Sequence, residues 1–171
     1  MIQQATAPAT GRCDGRHDFD FLFGEWRIVN RKVEDPLAAE TAKWLEFGAL
    51  SETRPILDGL GNVDTYSAPD FPGRPGYLGF GLRLFDPETG LWRIWWASTV
   101  GRGQLDTPVV GRFLDGEGGF ECDDVLAGRS LKVRFDWKDI TPTSARWEQS
   151  FSFDDGRSFE ANWIMEFTRI E

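Results

Sequence analysis

Few side chains in this sequence can do bond-making chemistry, and their types narrow the field before any fold is considered. His17 is the only histidine. Zinc sites built on paired imidazoles, the His-Glu-x-x-His pattern and the two-histidine iron triad all need more than one. A Ser-His-Asp triad would have to use His17, which stands in His17-Asp18-Phe19-Asp20 ahead of the first strand and reads as an exposed or capping residue. Cys13 lies in an N-terminal tail and Cys122 in a strand-like run, so both are expected to be free thiols. Carboxylate and phenol remain for acid–base work. Asp124, in Cys122-Asp123-Asp124, becomes an acid or base near neutral pH if burial raises its pKa, with Tyr66 as hydrogen-bond donor. The same stretch also suits a solvated, acidic strand end. No Gly-x-Gly-x-x-Gly follows a strand and opens a helix, since Gly79 and Gly81 lie inside a β run. Neither a metal nor a cofactor is expected.

The elements that must position these groups are almost all strands. Runs of β-branched, aromatic and Leu residues closed by Gly, Pro, Asn or Asp cover Gly24 to Val33, Lys43 to Thr53, Asn62 to Ser67, Leu78 to Phe85 and Leu91 to Thr99. They continue over Val109 to Leu114, Gly119 to Val125, Ser130 to Asp139, Ser144 to Phe153 and Ser158 to Ile170. Asp86-Pro87-Glu88-Thr89-Gly90, Asp115-Gly116-Glu117-Gly118 and Asp154-Asp155-Gly156 are hairpin turns, so sequential strands pair antiparallel. No segment has the apolar spacing of a core helix. Ten strands in 171 residues predict an all-β, antiparallel up-and-down barrel, because an open sheet of that size leaves edges and an apolar face uncovered. A single barrel domain over 19–171 follows, behind a flexible tail over 1–18.

Composition bounds the partners. At 40% hydrophobic residues and a formal charge of -9, the chain supports one core and lacks the basic surplus that phosphate backbones or anionic lipid require, so neither nucleic acid nor membrane is an expected partner. Without a basic start followed by an apolar run, the N-terminus does not read as a secretory signal, and a cytoplasmic location is expected. Arginine supplies 15 of the 19 basic residues, which suits planar stacking on the many aromatics. Arg83 or Arg93 turned inward would instead point to a ligand carrying a carboxylate.

In an up-and-down barrel alternate connections share an end. Glu34 to Ala42, Ala68 to Tyr77 and Val100 to Pro108 are long and collect at one end, the expected mouth; shorter turns collect at the other, the expected base. At the base, Phe19-Asp20-Phe21-Leu22-Phe23 reads as a short 3-10 plug, Gly24-Glu25-Trp26 opens the first strand, and Arg169 ends the last. This resembles the lipocalin and wider calycin pattern, in which a Gly-x-Trp indole at the closed end packs beneath an arginine from the final strand. Phe21-Leu22-Phe23-Gly24-Glu25-Trp26, Leu57-Asp58-Gly59-Leu60-Gly61-Asn62-Val63-Asp64, Leu84 to Trp92 and Asn162 to Phe167 look like a bacterial calycin-like family of unknown function. The resemblance implies a fold and no activity. It offers no histidine on the later strands for haem of the nitrobindin kind.

Taking Trp26 as inward places Ile28 and Asn30 inside. Alternation places Trp92, Ile94, Trp96 and Ser98 inside on the fifth strand, leaving Trp95 outside, to pack under a loop or at a homodimer contact. It likewise turns Leu131, Val133, Phe135 and Trp137 inward, then Trp147, Gln149, Phe151 and Phe153, then Phe159, Ala161, Trp163, Met165 and Phe167. The expected interior is aromatic with sparse polar groups, the composition of a small-molecule site. Asn30, Trp44, Tyr66, Trp96, Ser98, Gln149, Phe151 and Trp163 are the candidate ligand contacts. Three readings follow: a binder of a small hydrophobic or aromatic molecule; a cofactor-independent isomerase, cyclase or hydrolase using Asp124 and Tyr66; and an interaction module with a plugged core.

Overall fold

The computed structural model describes residues 14–38, 43–101 and 103–170. Its strands are β1 (Gly24–Val33), β2 (Trp44–Ile56), β3 (Gly61–Ala68), β4 (Tyr77–Asp86) and β5 (Leu91–Ser98), followed by β6 (Val109–Leu114), β7 (Glu117–Leu126), β8 (Arg129–Lys138), β9 (Ser144–Ser152) and β10 (Glu160–Arg169). Each pairs antiparallel with its sequence neighbours, and β1 also pairs with β10, closing a ten-stranded barrel. Closure gives every strand a partner on both sides and one face to bury. This architecture is consistent with a calycin-like fold. No helix among the described residues is long and apolar enough to cross a membrane.

The base is sealed by contacts that the Gly-x-Trp and arginine residues predict. Asp20–Leu22 forms a 3-10 turn, and the Trp26 indole N–H donates to the Leu22 carbonyl at 2.7 Å. Trp26 and Arg169 are partners in register, with the guanidinium 4.2 Å from the ring centroid, a contact of about 0.5 to 2 kcal/mol. The same guanidinium donates to the carbonyls of Phe23 and Phe21, each at 2.6 Å, while Nε donates to Pro142 at 2.8 Å. Gly24 has to be glycine here: its φ is +104°, and a Cβ would lie 3.0 Å from Arg169 Nη1.

Phe19 fills the space above this seal. It is fully buried, with edge contacts to Trp92 and Phe113, each at 4.9 Å between centroids. Of the tail expected over 1–18, residues 14–18 lie against the base, where the Gly15 carbonyl accepts from the Trp92 indole at 3.0 Å. Cys13 lies outside the described residues. His17 Nδ1 sits 2.9 Å from Asp20 Oδ2 on the surface.

The long connections do share an end, as parity predicts. One expected alternation fails. The pairing of β10 with β9 shifts register between Ala161 and Trp163, so Ala161 is opposite Ser150 and faces solvent while Trp163 is opposite Gln149. A bulge of one residue reverses every side chain beyond it. Phe159 accordingly lies under the Arg134 guanidinium, 3.7 Å from its ring centroid, and not on the face of Trp163.

Candidate functional site

The barrel encloses a cavity of about 570 Å³ that runs from the plug to the long loops. Its polar groups fall in three layers, each set by a different cause.

At the floor, β3 and β4 bring together Asp64 and Arg83. Nη1 of Arg83 lies 2.5 Å from Asp64 Oδ1 and 3.0 Å from Asn62 Oδ1, and both charged side chains are less than a tenth exposed. Gly81 stands opposite Asp64 in register, and a Cβ there would fall 2.3 Å from Oδ1, so the carboxylate occupies the space a side chain would take. Arg83 is therefore inward, but its countercharge comes from the protein. Arg93 points outward, 3.5 Å from Asp86. Thr53 Oγ1, Arg83 Nε and Trp137 Nε1 belong to cavity-lining residues and are buried without a protein partner. They are hydrogen-bonding capacity at the closed end of the cavity.

Behind the wall, Asn30 joins three elements. Its Oδ1 accepts from the Tyr66 hydroxyl at 2.8 Å and the Trp163 indole at 3.0 Å, and its Nδ2 donates to the Phe47 carbonyl at 3.3 Å. Asn30 is fully buried and does not line the cavity, nor does Tyr66. Burial, then the neighbouring Tyr77, pushes the Tyr66 phenol well above its ordinary range, only partly offset by the bond to Asn30, so it remains a neutral donor with its proton committed. The wall itself is aromatic: Phe135 and Trp147 meet at 4.8 Å and Trp147 and Trp163 at 5.7 Å, both edge-on. On the other side, the Trp96 indole donates to the Tyr77 hydroxyl at 3.3 Å. Gly79 makes room for it, since a Cβ there would fall 2.2 Å from the Trp96 ring.

At the mouth the alternation that begins at Trp26 reaches Lys32. Its Nζ lies 3.8 Å from the Trp163 ring centroid, in the cavity and without a hydrogen bond or ion pair among the described residues. Burial, and then the charge of Arg74, lower its pKa from 10.5 to about 7. The amine therefore holds its proton less tightly folded than unfolded. The sign follows directly: between about pH 10.5 and 7 the unfolded chain binds more protons, so this group costs stability increasingly as pH falls through that window, and the cost is constant below it. Lys32→Met is expected to remove that slope and to raise stability at acidic to neutral pH by about 3 kcal/mol, a figure reduced for partial solvent access. Urea denaturation of both proteins across the window measures it; parallel curves would mean that the amine is solvated.

The remaining mouth groups are acidic. Asp106 and Asp124 both line the cavity, and burial, then the Asp124 charge, raises the pKa of Asp106. Cys122 beside them is pushed up to about 11 by burial and then by its acidic neighbours, first Asp124 and then Asp123 and Asp106, leaving an unreactive thiol. Strand β6 pairs with β5 only from Trp92 to Ile94, and beyond that the Asp106 N–H to the Trp96 carbonyl, 2.7 Å, is the link across this seam. The barrel wall is thus thinnest beside Trp96 and Ser98.

Of the residues singled out from sequence, Asp124, Trp96, Ser98, Gln149, Phe151 and Trp163 line the cavity. Gln149 also donates to Asn162 Oδ1 at 2.7 Å. Trp44 is on the outer surface, with the Arg31 guanidinium 5.4 Å from its ring centroid. Asp124 and Tyr66 are not joined: the first accepts from the Val125 N–H at 2.7 Å, the second donates to Asn30. Phe71, in the long connection from Ala68 to Tyr77 at the expected mouth, is buried on Phe47 at 4.1 Å between ring centroids. Lys32, Asp64 and Arg83 were not among the candidate contacts. Counting on by twos from Trp26 reaches Lys32. For Asp64 the signal was Gly81 directly across from it, a sign of a strand that makes room for its neighbour.

Comparison with known proteins matched no family and no curated sequence.

Proposed function

We propose that this protein binds a small apolar or aromatic molecule inside the barrel. One observation carries the reading: the interior holds about 570 Å³ of space lined by Trp96, Phe135, Trp147, Phe151 and Trp163, with polar groups at the floor and the mouth and Gln149 in the wall between them. A barrel whose side chains served only to fill it would have no such space, and the volume is within the range of roughly 300 to 1,000 Å³ typical of ligand pockets. The aromatic walls supply non-directional affinity. Trp137 Nε1, Thr53 Oγ1 and Arg83 Nε at the floor supply polar orientation for a ligand's far end.

Catalysis by an Asp124 and Tyr66 pair has less to support it, because no hydrogen bond joins the two groups and the phenol is engaged elsewhere.

Native mass spectrometry of the purified protein, set against its denatured mass, is the direct test, together with titration of tryptophan fluorescence by para-phenylbenzyl alcohol. A released molecule of a few hundred daltons, or saturable quenching with a Kd near about 1 to 100 μM, is expected. Ser98→Phe, which fills the thin side of the wall, should weaken that binding by about tenfold, roughly 1.4 kcal/mol. No co-purifying mass together with linear, unsaturable quenching would overturn the proposal.

A further inference from the structure

We propose that Lys32 is a reactive amine which captures the carbonyl carbon of an aldehyde- or ketone-bearing apolar molecule as a reversible imine. This rests on the cavity reading above and names the chemistry of its mouth.

The four lysines differ sharply in placement. Lys132 donates to Asp123 at 2.7 Å and Lys138 to Glu148 at 2.9 Å, and Lys43 lies exposed just before β2. Lys32 alone points into the cavity, and among the described residues no carboxylate pairs with it. Its ammonium form is opposed by the apolar surroundings and by the Arg74 cation, against which the Trp163 face gives only a cation–π contact, while Glu34, Asp106 and Asp124 face the same cavity without bonding to it. A lysine removed from water, or set beside another cation, presents its lone pair at neutral pH, the condition under which amines attack carbonyls.

The amine's position is also built. The Trp163 ring beneath it is pinned by the indole bond to Asn30 and by the edge of Trp147. Phe71, stacked on Phe47, holds the loop that carries Arg74, whose guanidinium lies 5.5 Å from the Phe71 ring. A ligand whose apolar body lies along Trp147 and Phe135 places a terminal carbonyl at the Lys32 end of the cavity.

The step balances without a further reactant. The Nζ lone pair forms a bond to the carbonyl carbon as the carbonyl π electrons move to oxygen. A proton passes from nitrogen to that oxygen, giving a carbinolamine. Its hydroxyl then leaves with a second proton from nitrogen as one water, and the C=N bond forms. Hydrolysis reverses the sequence and releases the ligand. Nothing is oxidised or reduced.

The test incubates the full chain with para-phenylbenzaldehyde at neutral pH, traps any imine by cyanoborohydride, which delivers hydride to the C=N carbon, and maps the adduct by mass spectrometry. One equivalent on the peptide containing Lys32 is expected, forming at least about tenfold faster than on Lys43, Lys132, Lys138 or the terminal amine. Lys32→Arg should abolish it. Labelling spread evenly over all amines, or unchanged in Lys32→Arg, overturns the imine. The corresponding alcohol, which binds but cannot condense, separates the two readings. Saturable binding of the alcohol without a Lys32 adduct sinks the imine and leaves the cavity reading standing; failure of both sinks both.

Discussion

Arg83→Met is expected to cost about 3 to 5 kcal/mol of folding stability, while Arg83→Met combined with Asp64→Leu should recover most of that loss. The asymmetry comes from desolvation. Arg83 and Asp64 bond at 2.5 Å with side chains 9% and 6% exposed. Removing the cation alone strands a buried carboxylate at the cavity floor and takes the donor from Asn62 Oδ1 as well, and leaving one partner of a buried pair is what costs several kcal/mol. Removing both charges gives up the Coulomb attraction and the desolvation penalty together, which for buried pairs is often neutral. Arg83→Met also takes away the guanidinium that covers Phe19 at 5.3 Å, so the base plug should loosen in the single variant. Urea denaturation of the two single variants and the double variant, analysed as a cycle, measures the coupling. A single-variant loss below about 1 kcal/mol would mean that water reaches the pair freely, the usual value for exposed ion pairs.

Asn30→Ala should be comparably damaging, at about 3 to 5 kcal/mol, although it removes no charge. The substitution takes the acceptor from the Tyr66 hydroxyl and from the Trp163 indole, and the donor from the Phe47 carbonyl. Each buried polar group left without a partner costs roughly 1 to 3 kcal/mol, and a cavity is added to that sum. Tyr66→Phe in the Asn30→Ala background should then be nearly free of cost, whereas in the native protein it breaks the bond. That coupling distinguishes loss of the hydrogen bonds from loss of packing, because a purely steric effect leaves Tyr66→Phe equally costly in both. Asn30→Ala should also broaden the environment of Trp163, and with it slow the Lys32 chemistry.

Much of the barrel was legible because its determinants are local. Hairpin turns such as Asp115-Gly116 sit between alternating runs, and each run pairs with its sequence neighbour, so strand order needs no long-range information. Trp26 and Arg169 are distant in sequence, yet strand parity brings them to the same end, and their contact follows from counting alone. The aromatic cavity wall was legible for the same reason wherever alternation continues unbroken, as from Leu131 to Trp137.

The candidate site was legible only in part. Whether an inward polar residue faces the cavity or a neighbour's side chain depends on what crosses from other strands. Asn30 was expected at a ligand; it faces Tyr66 and Trp163, which reach it from β3 and β10. The Asn162 bulge is a property of how β10 meets β9, and it reverses Ala161 and Phe159 while leaving Trp163 inward.

By itself, then, the sequence determined the strands, their order, the closed base and the mouth, since turn chemistry and period-two patterning act within a few residues of where they are written. Tertiary structure alone decided which polar groups are spent on partners within the protein and which are left without one. Asp64 neutralises Arg83, Asn30 satisfies Tyr66 and Trp163, and Lys32 is left above an indole with no described carboxylate beside it. Hydrogen bonds and desolvation depend on atoms within a few ångströms, and in a barrel those atoms come from strands far apart in the chain.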